Sequence, residues 1–250
     1  MGSSEAEQLI GDMFPPTEVR RSWYYRVKSG EIKYEPDREM FKMSEIKGNI
    51  LANGLLCRDT KTYSLIHLLA ETGRDQAVRW MLRKGVDIEM TAGGSTPLHF
   101  AASMGRKGVV ELLLESGANI EAKDCIERTP LLIAAEYGYL EVVRLLLDKG
   151  ADIDSKMDGG VTALNLAASS DRAEVVRLLL DNHAAVDVPN CYGETALFKA
   201  AGYGFEKVVL LLLEKGASPD VRNWKGETVV DWAKIRGRKA IVQILREKAR

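Results

Sequence analysis

The sequence predicts an all-α protein built of short helix pairs stacked in a row, and three observations carry that prediction. The triplets Thr96-Pro97-Leu98, Thr129-Pro130-Leu131, Thr162-Ala163-Leu164, Thr195-Ala196-Leu197 and Thr228-Val229-Val230 begin 33 residues apart each time. An earlier copy, Ser64-Leu65-Ile66-His67, stands 32 residues before the first. Within the units a pair of alanines and a longer apolar run recur at fixed places, as they do when one supersecondary unit is repeated along a chain. The missing residue falls between Asp87 and Thr96, in a connection, where a deletion is easily accommodated.

Residues 1–62 carry no repeat. Ser4 and Glu7 form a capping box ahead of Leu9, Ile10, Met13 and Phe14, which predicts a short amphipathic helix ending before Pro15-Pro16. Trp23 to Val27 and Glu31 to Tyr34 flank Lys28-Ser29-Gly30 as the arms of a hairpin would, although a helix over 17–29 fits the same residues. Met40, Phe41, Met43 and Ile46 suggest a further helix. The role expected of this region is a cap over the first unit, because an array with an uncovered end is poorly soluble. The cluster of Trp23, Tyr24, Tyr25 and Tyr34 offers a partner-binding or regulatory element as the alternative.

Units start near residues 64, 96, 129, 162 and 195, and a C-terminal capping unit spans 228–250, so the repeat region is 63–250. In each unit the Thr is a good N-cap, and Pro97 and Pro130 suit the first helical position, where the missing N–H would be unpaired anyway. Ala101-Ala102, Ala134-Ala135, Ala167-Ala168 and Ala200-Ala201 put small residues on that helix, which lets a neighbouring helix come close. Gly105, Gly138 and Gly204 then end it in the left-handed conformation.

The second helix of each unit carries Val109 to Leu114, Val142 to Leu147, Val175 to Leu180 and Val208 to Leu213. Its apolar stripe is too wide for a helix packed on one side and suits one held between two neighbours. Three units depart from the pattern. Glu127, Asp171 and His183 stand where sister units have glycine, and local strain is expected there, with Glu127 the hardest to accommodate. In the last unit Asp231-Trp232-Ala233-Lys234 replaces the double alanine, and Arg246-Glu247-Lys248 makes a polar end.

These residues closely resemble the ankyrin repeat family. Thr96-Pro97-Leu98-His99-Phe100-Ala101 matches that family's Thr-Pro-Leu-His-x-Ala signature, and the resemblance covers about 187 of 250 residues. It implies an ankyrin-repeat solenoid of stacked helix-loop-helix units with β-hairpin fingers, and partners that bind the concave face made by the fingertips and the exposed side of the first helices. Many members carry Asn at the position that here reads Glu89, Glu121, Asp154, Asp187 and Asp220, so asparaginyl hydroxylation has no target in that row. These carboxylates are expected to form a solvated or partner-facing row.

The search for chemistry favours a non-enzyme without a cofactor or metal. No phosphate-binding loop, nucleophile elbow or His-Glu-x-x-His is present. His67 and His99 are expected to tie down their turns by bonding Ser64 and Thr96, and Cys125 and Cys191 lie two units apart, too far for a disulfide. With three cysteines, no secretory signal and no apolar run long enough to span a bilayer, the chain is expected in the cytoplasm or nucleus, off the membrane and monomeric by itself.

Two sets of positions lie on the implied concave face. At the fingers these are Cys125 and Ile126, Asp158 and Gly159, Cys191 and Tyr192, then Trp224 and Lys225; at the ends of the first helices, Ser103 and Met104, Glu136 and Tyr137, Ser169 and Ser170, then Gly202 and Tyr203. Neither set is expected to be needed for stacking. Ile126, Tyr137, Tyr192, Tyr203 and Trp224 therefore form the predicted partner-binding surface, since Tyr and Trp are enriched in binding hot spots. Trp224 is expected to pack in part beside the C-terminal cap. Residues 63–220 hold 16 basic and 23 acidic groups and residues 221–250 hold 9 and 3, which points to a basic protein partner. Two rival functions remain: an enzyme using Tyr137, Tyr203 or a flanking carboxylate, and nucleic-acid binding through Lys234, Arg236, Arg238 and Lys239, where nucleic acid is the less expected partner.

Overall fold

Serine or threonine opens every first helix. The computed structural model describes residues 64–248, so the cap, helices and hairpin predicted over 1–62 lie outside the described residues. Six helix pairs follow one another: α1 (Leu65–Thr72) and α2 (Asp75–Arg83), α3 (Pro97–Ser103) and α4 (Lys107–Glu115), α5 (Pro130–Tyr137) and α6 (Leu140–Asp148), α7 (Ala163–Ser169) and α8 (Ala173–Asp181), α9 (Ala196–Tyr203) and α10 (Glu206–Glu214), then α11 (Val229–Ile235) and α12 (Lys239–Lys248). Ser64, Thr96, Thr129, Thr162, Thr195 and Thr228 hold the extended backbone of an N-cap. Fingers join the pairs, and single antiparallel bridges close three of them: Ala92 with Ser95, Met157 with Val161, and Arg222 with Thr228.

First helices stack on first helices and second helices on second helices along the whole row. The alanine pairs explain the close approach: Ala101, Ala102, Ala134, Ala135, Ala167, Ala168, Ala200 and Ala201 are all 0% exposed. On the second helices Val109, Val110, Leu112 and Leu113 are buried, as are their counterparts in the following units. The result is one continuous apolar core from Ile66 to Leu245, shared between units. In the last unit Ala233 keeps the first alanine position and Lys234 takes the second, while Trp232 precedes them. A methyl group on Gly202 would stand 2.5 Å from Trp232 Nε1. Gly202 is therefore a stacking residue, contrary to the expectation that its position is free of that duty.

Polar ties reinforce the stack. The Ser64 and Thr96 hydroxyls lie 2.8 Å from Nδ1 of His67 and His99. The same nitrogens accept the backbone N–H of Ser64 and Thr96 at 3.2 and 3.1 Å. Nε2 then reaches the Met90 carbonyl at 2.8 Å and the Arg128 carbonyl at 3.0 Å, in the finger that follows the histidine's helix pair. With Nδ1 accepting and Nε2–H donating, the imidazole is neutral. Burial pushes both histidines below their ordinary titration range, against the opposing pull of the carbonyl bonds.

Four of the five carboxylates of the row also have a structural role that the sequence reading did not include, while Asp220, in the last finger, is exposed. Glu89 accepts the N–H of Asn119 at 2.7 Å, Glu121 that of Asp152 at 2.8 Å, Asp154 that of Ala185 at 3.0 Å and Asp187 that of Ser218 at 3.1 Å. Each carboxylate thus fastens the loop that opens the next unit, a charge-assisted bond to backbone. Arginines make a second row: Nε of Arg106, Arg172 and Arg238 donates to the carbonyls of Glu71, Glu136 and Gly202 in the last turn of the preceding first helix. A cation there complements the helix dipole and satisfies a carbonyl that lacks a helical partner.

Glu127, Asp171 and His183 all adopt left-handed backbone, with φ of 65°, 55° and 66°. The fold keeps its turns and tolerates a side chain where glycine would be relaxed, at about 1–2 kcal/mol each. Glu127 gains an ion pair with Lys123 at 2.6 Å.

Two measurements check this account. A histidine whose folded pKa is depressed loses stability as pH falls below its unfolded value near 6.5. Melting temperature is expected to be flat above that pH and to decline below it, before the carboxylates titrate. His99→Asn is expected to flatten the decline, because Asn165 already fills the equivalent position, accepting the Thr162 N–H at 3.1 Å. The second concerns Thr195, whose buried hydroxyl has no hydrogen-bond partner because Phe198 occupies the place of the histidine. Urea unfolding is expected to show Thr195→Val neutral or slightly stabilising, whereas Thr162→Val, which breaks a bonded cap, costs about 1–2 kcal/mol.

Candidate functional site

Short polar residues at the base of three of the five fingers build the tip, where the other two have Ala92 and Met157. Oδ1 of Asp124 accepts the N–H groups of Ile126 and Arg128 at 3.0 and 2.9 Å. Asn190 does the same for Tyr192 and Glu194, and Asn223 for Lys225 and Glu227. Because these acceptors are buried, the turn is fixed from inside while the tip side chains remain outside. Neighbouring tips are tied by backbone: the N–H of Asp158 donates to the Ile126 carbonyl at 3.3 Å, that of Cys191 to Gly159 at 2.7 Å and that of Trp224 to Tyr192 at 2.9 Å.

All five side chains singled out from the sequence are exposed: Ile126 by 40%, Tyr137 by 48%, Tyr192 by 56%, Tyr203 by 55% and Trp224 by 68%. Trp224 is the most exposed of them and does not pack against the cap as expected; its nearest charge is Lys225, with Nζ 5.1 Å from the ring centroid. Tyr203 stacks on Phe205 at 5.7 Å and Tyr137 lies 6.2 Å from Tyr139, so each helix-end tyrosine leans on an aromatic of its own unit.

The five divide into two clusters. Ile126 and Tyr137 belong to the finger and first helix of one unit, and Tyr192 and Tyr203 to those two units on, with Trp224 on the next finger. In the intervening unit Gly159 takes the fingertip position and Ser170 the helix-end position. A saddle of small residues thus separates two apolar clusters by roughly 20 Å, taking each unit as about 10 Å.

Sequence reading passed over three exposed apolar residues. Met104 is in register with Tyr137 and Tyr203, so the repeat itself flagged it. Leu210 stands where sister units carry Glu111, Arg144 and Arg177, and an apolar residue at a charged position was its signal. Ile235 lies at the end of α11 and is 62% exposed.

Charges line the same surface in bonded groups. Arg128 pairs with Asp124 at 2.8 Å and Glu136 at 3.5 Å. Burial alone would raise the Asp124 pKa, but the backbone and guanidinium of Arg128 and the Ile126 N–H hold it below the ordinary carboxylate range. Glu194 binds Lys199 and Asn190. Cys125 and Cys191 are exposed thiols at their fingertips. Among the described residues no group of His, Cys, Asp or Glu is gathered to hold a metal ion, and no helix is long and apolar enough to cross a membrane.

Stacked helix pairs with projecting, mutually tied fingers define a helical repeat solenoid. The chain belongs to the ankyrin repeat family: the family described as ankyrin repeats (3 copies) matches residues 43–124, 122–190, 158–223 and 182–250. Among curated proteins it is similar to palmitoyltransferase Hip14 of Drosophila melanogaster, 36% identical over 68 residues, which are 26% of this chain and 11% of that protein. It is similar to Rabankyrin-5 of Mus musculus, 33% identical over 79 residues, 26% of this chain and 7% of that one. A putative ankyrin repeat protein of Rickettsia bellii (strain RML369-C) is 36% identical over 88 residues, 35% of this chain and 36% of its own length. The chain therefore spans only a minor part of each of these relatives.

Exposure separates surface residues from stacking residues in a measurable way. Tyr192→Ala and Trp224→Ala are each expected to change unfolding free energy by less than about 0.5 kcal/mol. Gly202→Ala, which drives a methyl group into Trp232, is expected to cost about 1–3 kcal/mol in the same urea titration.

Proposed function

We propose that this chain is a non-catalytic protein-interaction module, an adaptor holding a basic protein partner along its concave groove through Ile126, Tyr137, Tyr192, Tyr203 and Trp224. Ankyrin repeats mediate protein–protein interaction, and domains of this kind are typically non-catalytic. The observation that carries the reading for this chain is large aromatic surface, about half exposed or more, at positions that stacking does not use. Such rings give broad contact area with a polar handle. The excess of 23 acidic over 16 basic groups in residues 63–220 favours a basic partner and would steer its approach.

The saddle at Gly159 and Ser170 gives that partner a shape. A helix or extended segment resting on both aromatic clusters has room for a bulky side chain midway between them. The repeat domain is taken as 63–250, with residues 1–62 covering its first unit. Exposed thiols at Cys125 and Cys191 suit the reducing cytoplasm or nucleus.

An acid/base enzyme is the weaker reading. The carboxylates beside the exposed tyrosines are already engaged, Glu136 with Arg128 and Glu194 with Lys199 and Asn190. The transferase named among the relatives shares only 11% of its length with this chain.

Partners captured from the native cell by the full chain test the proposal. The Tyr192→Ala/Tyr203→Ala variant, at unchanged stability, is expected to lose the principal partner, and Leu210→Ala, on a second helix, to keep it. Gly159→Trp, which fills the saddle, is expected to weaken binding at least about tenfold. Retention of every partner by the double variant would mean that the groove is not the binding surface.

A further inference from the structure

The last unit carries a feature the groove does not use. Between the end of α11 and the exposed side of α12 lies an open hollow of about 610 Å³, bordered by Lys234, Arg238, Lys239 and Arg246, with Gln243 and Glu247 at its edge. Its size is that of a small-molecule site. Lys239, Val242, Gln243 and Arg246 follow the spacing of one helix face, so α12 presents two of the cations to the hollow together.

These cations are poorly neutralised. Residues 221–250 hold 9 basic groups and 3 acidic ones. Each of the three carboxylates is committed: Glu227 accepts from Asn223 at 2.8 Å, Asp231 from Thr228 at 2.7 Å and Lys234 at 3.2 Å, and Glu247 from Gln243 at 2.9 Å. Arg238 is held in place by its Nε bond to the Gly202 carbonyl at 3.1 Å, and its terminal guanidinium nitrogens are not used by that bond. Lys234 is paired with Asp231 and Glu247 stands at the edge, so among the described residues Arg238, Lys239 and Arg246 are the cations without an ion pair, a concave excess of positive charge that attracts a multiply charged anion.

We infer that this hollow is a binding site for a compact soluble polyphosphate, a small molecule carrying several phosphate groups. Compactness follows from the surroundings. The cations border one depression between the end of α11 and a face of α12, and the array beyond carries the acidic excess of residues 63–220, which repels a polyanion long enough to leave the cap. The site is independent of the groove and of what binds there.

Isothermal titration of the full chain with inorganic tripolyphosphate tests the assignment. Saturable one-to-one binding is expected, stronger than for orthophosphate and weakened by salt. Lys239→Gln/Arg246→Gln is expected to weaken it at least about tenfold. Both side chains are exposed, so the variant keeps its thermal transition; Tyr192→Ala/Tyr203→Ala is expected to bind tripolyphosphate as the wild type does. No binding, or binding that survives the double Gln substitution, overturns the proposal. So does a duplex DNA whose affinity rises with length and which tripolyphosphate fails to displace, or recruitment to phosphatidylserine vesicles that tripolyphosphate fails to reverse.

Discussion

A single unit of this chain cannot bury its own apolar faces, and the contact between adjacent first helices through alanine pairs is the constraint on which everything else rests. With no side chain beyond a methyl group at Ala101-Ala102 and its counterparts, neighbouring backbones approach closely enough for the Val and Leu of the second helices to interlock behind them. Stability in such an array is close to a sum of units and nearest-neighbour interfaces. The groove residues lie outside both terms. They are free to be aromatic because nothing in the stack depends on them.

Hydrogen bonds supply the registration that apolar contact alone lacks. Carboxylate to loop N–H and arginine to helix end cross from one unit to the next, and histidine to carbonyl ties a first helix to the finger that follows its pair. Because apolar burial is non-directional, it permits small slips and rotations that these bonds do not. The same bonds set the angle at which each finger leaves the stack, and the tip-to-tip backbone bonds carry that angle along the groove. The spacing of the aromatic clusters is thus decided by groups that belong to the stack and not to the clusters themselves.

Most of the architecture was legible in the sequence because a period states position. Thr caps, αL glycines and the three residues replacing such glycines were all placed by register alone, and the backbone angles of Glu127, Asp171 and His183 agree. A period does not state direction. Glu121 and Asp154 showed no structural role because their bonding partners, Asp152 and Ala185, belong to the next unit. Gly202 looked dispensable because the ring that needs its bareness, Trp232, is a unit away. Trp224 was expected to pack in part beside the cap and is exposed instead, because register places a fingertip without saying what stands next to it. The hollow beside α12 depends on where four long side chains converge, which spacing does not give.

The chemistry of the row does not in fact repeat every unit. The position three after the N-cap reads His67, His99, Leu132, Asn165, Phe198, Asp231, polar and apolar by turns only from the second unit on, and the position ten after the N-cap reads Arg74, Arg106, Tyr139, Arg172, Phe205, Arg238, with the same exception at the first unit. From the second unit on, the repeat at these two positions is therefore a pair of units, while the first two units, alike in His67 and His99 and in Arg74 and Arg106, show that units of one kind also adjoin. Removing or adding a pair within the alternating stretch keeps both series in step, and the head of the array, where like already meets like, is where a single unit would be added or removed with the least change of chemistry.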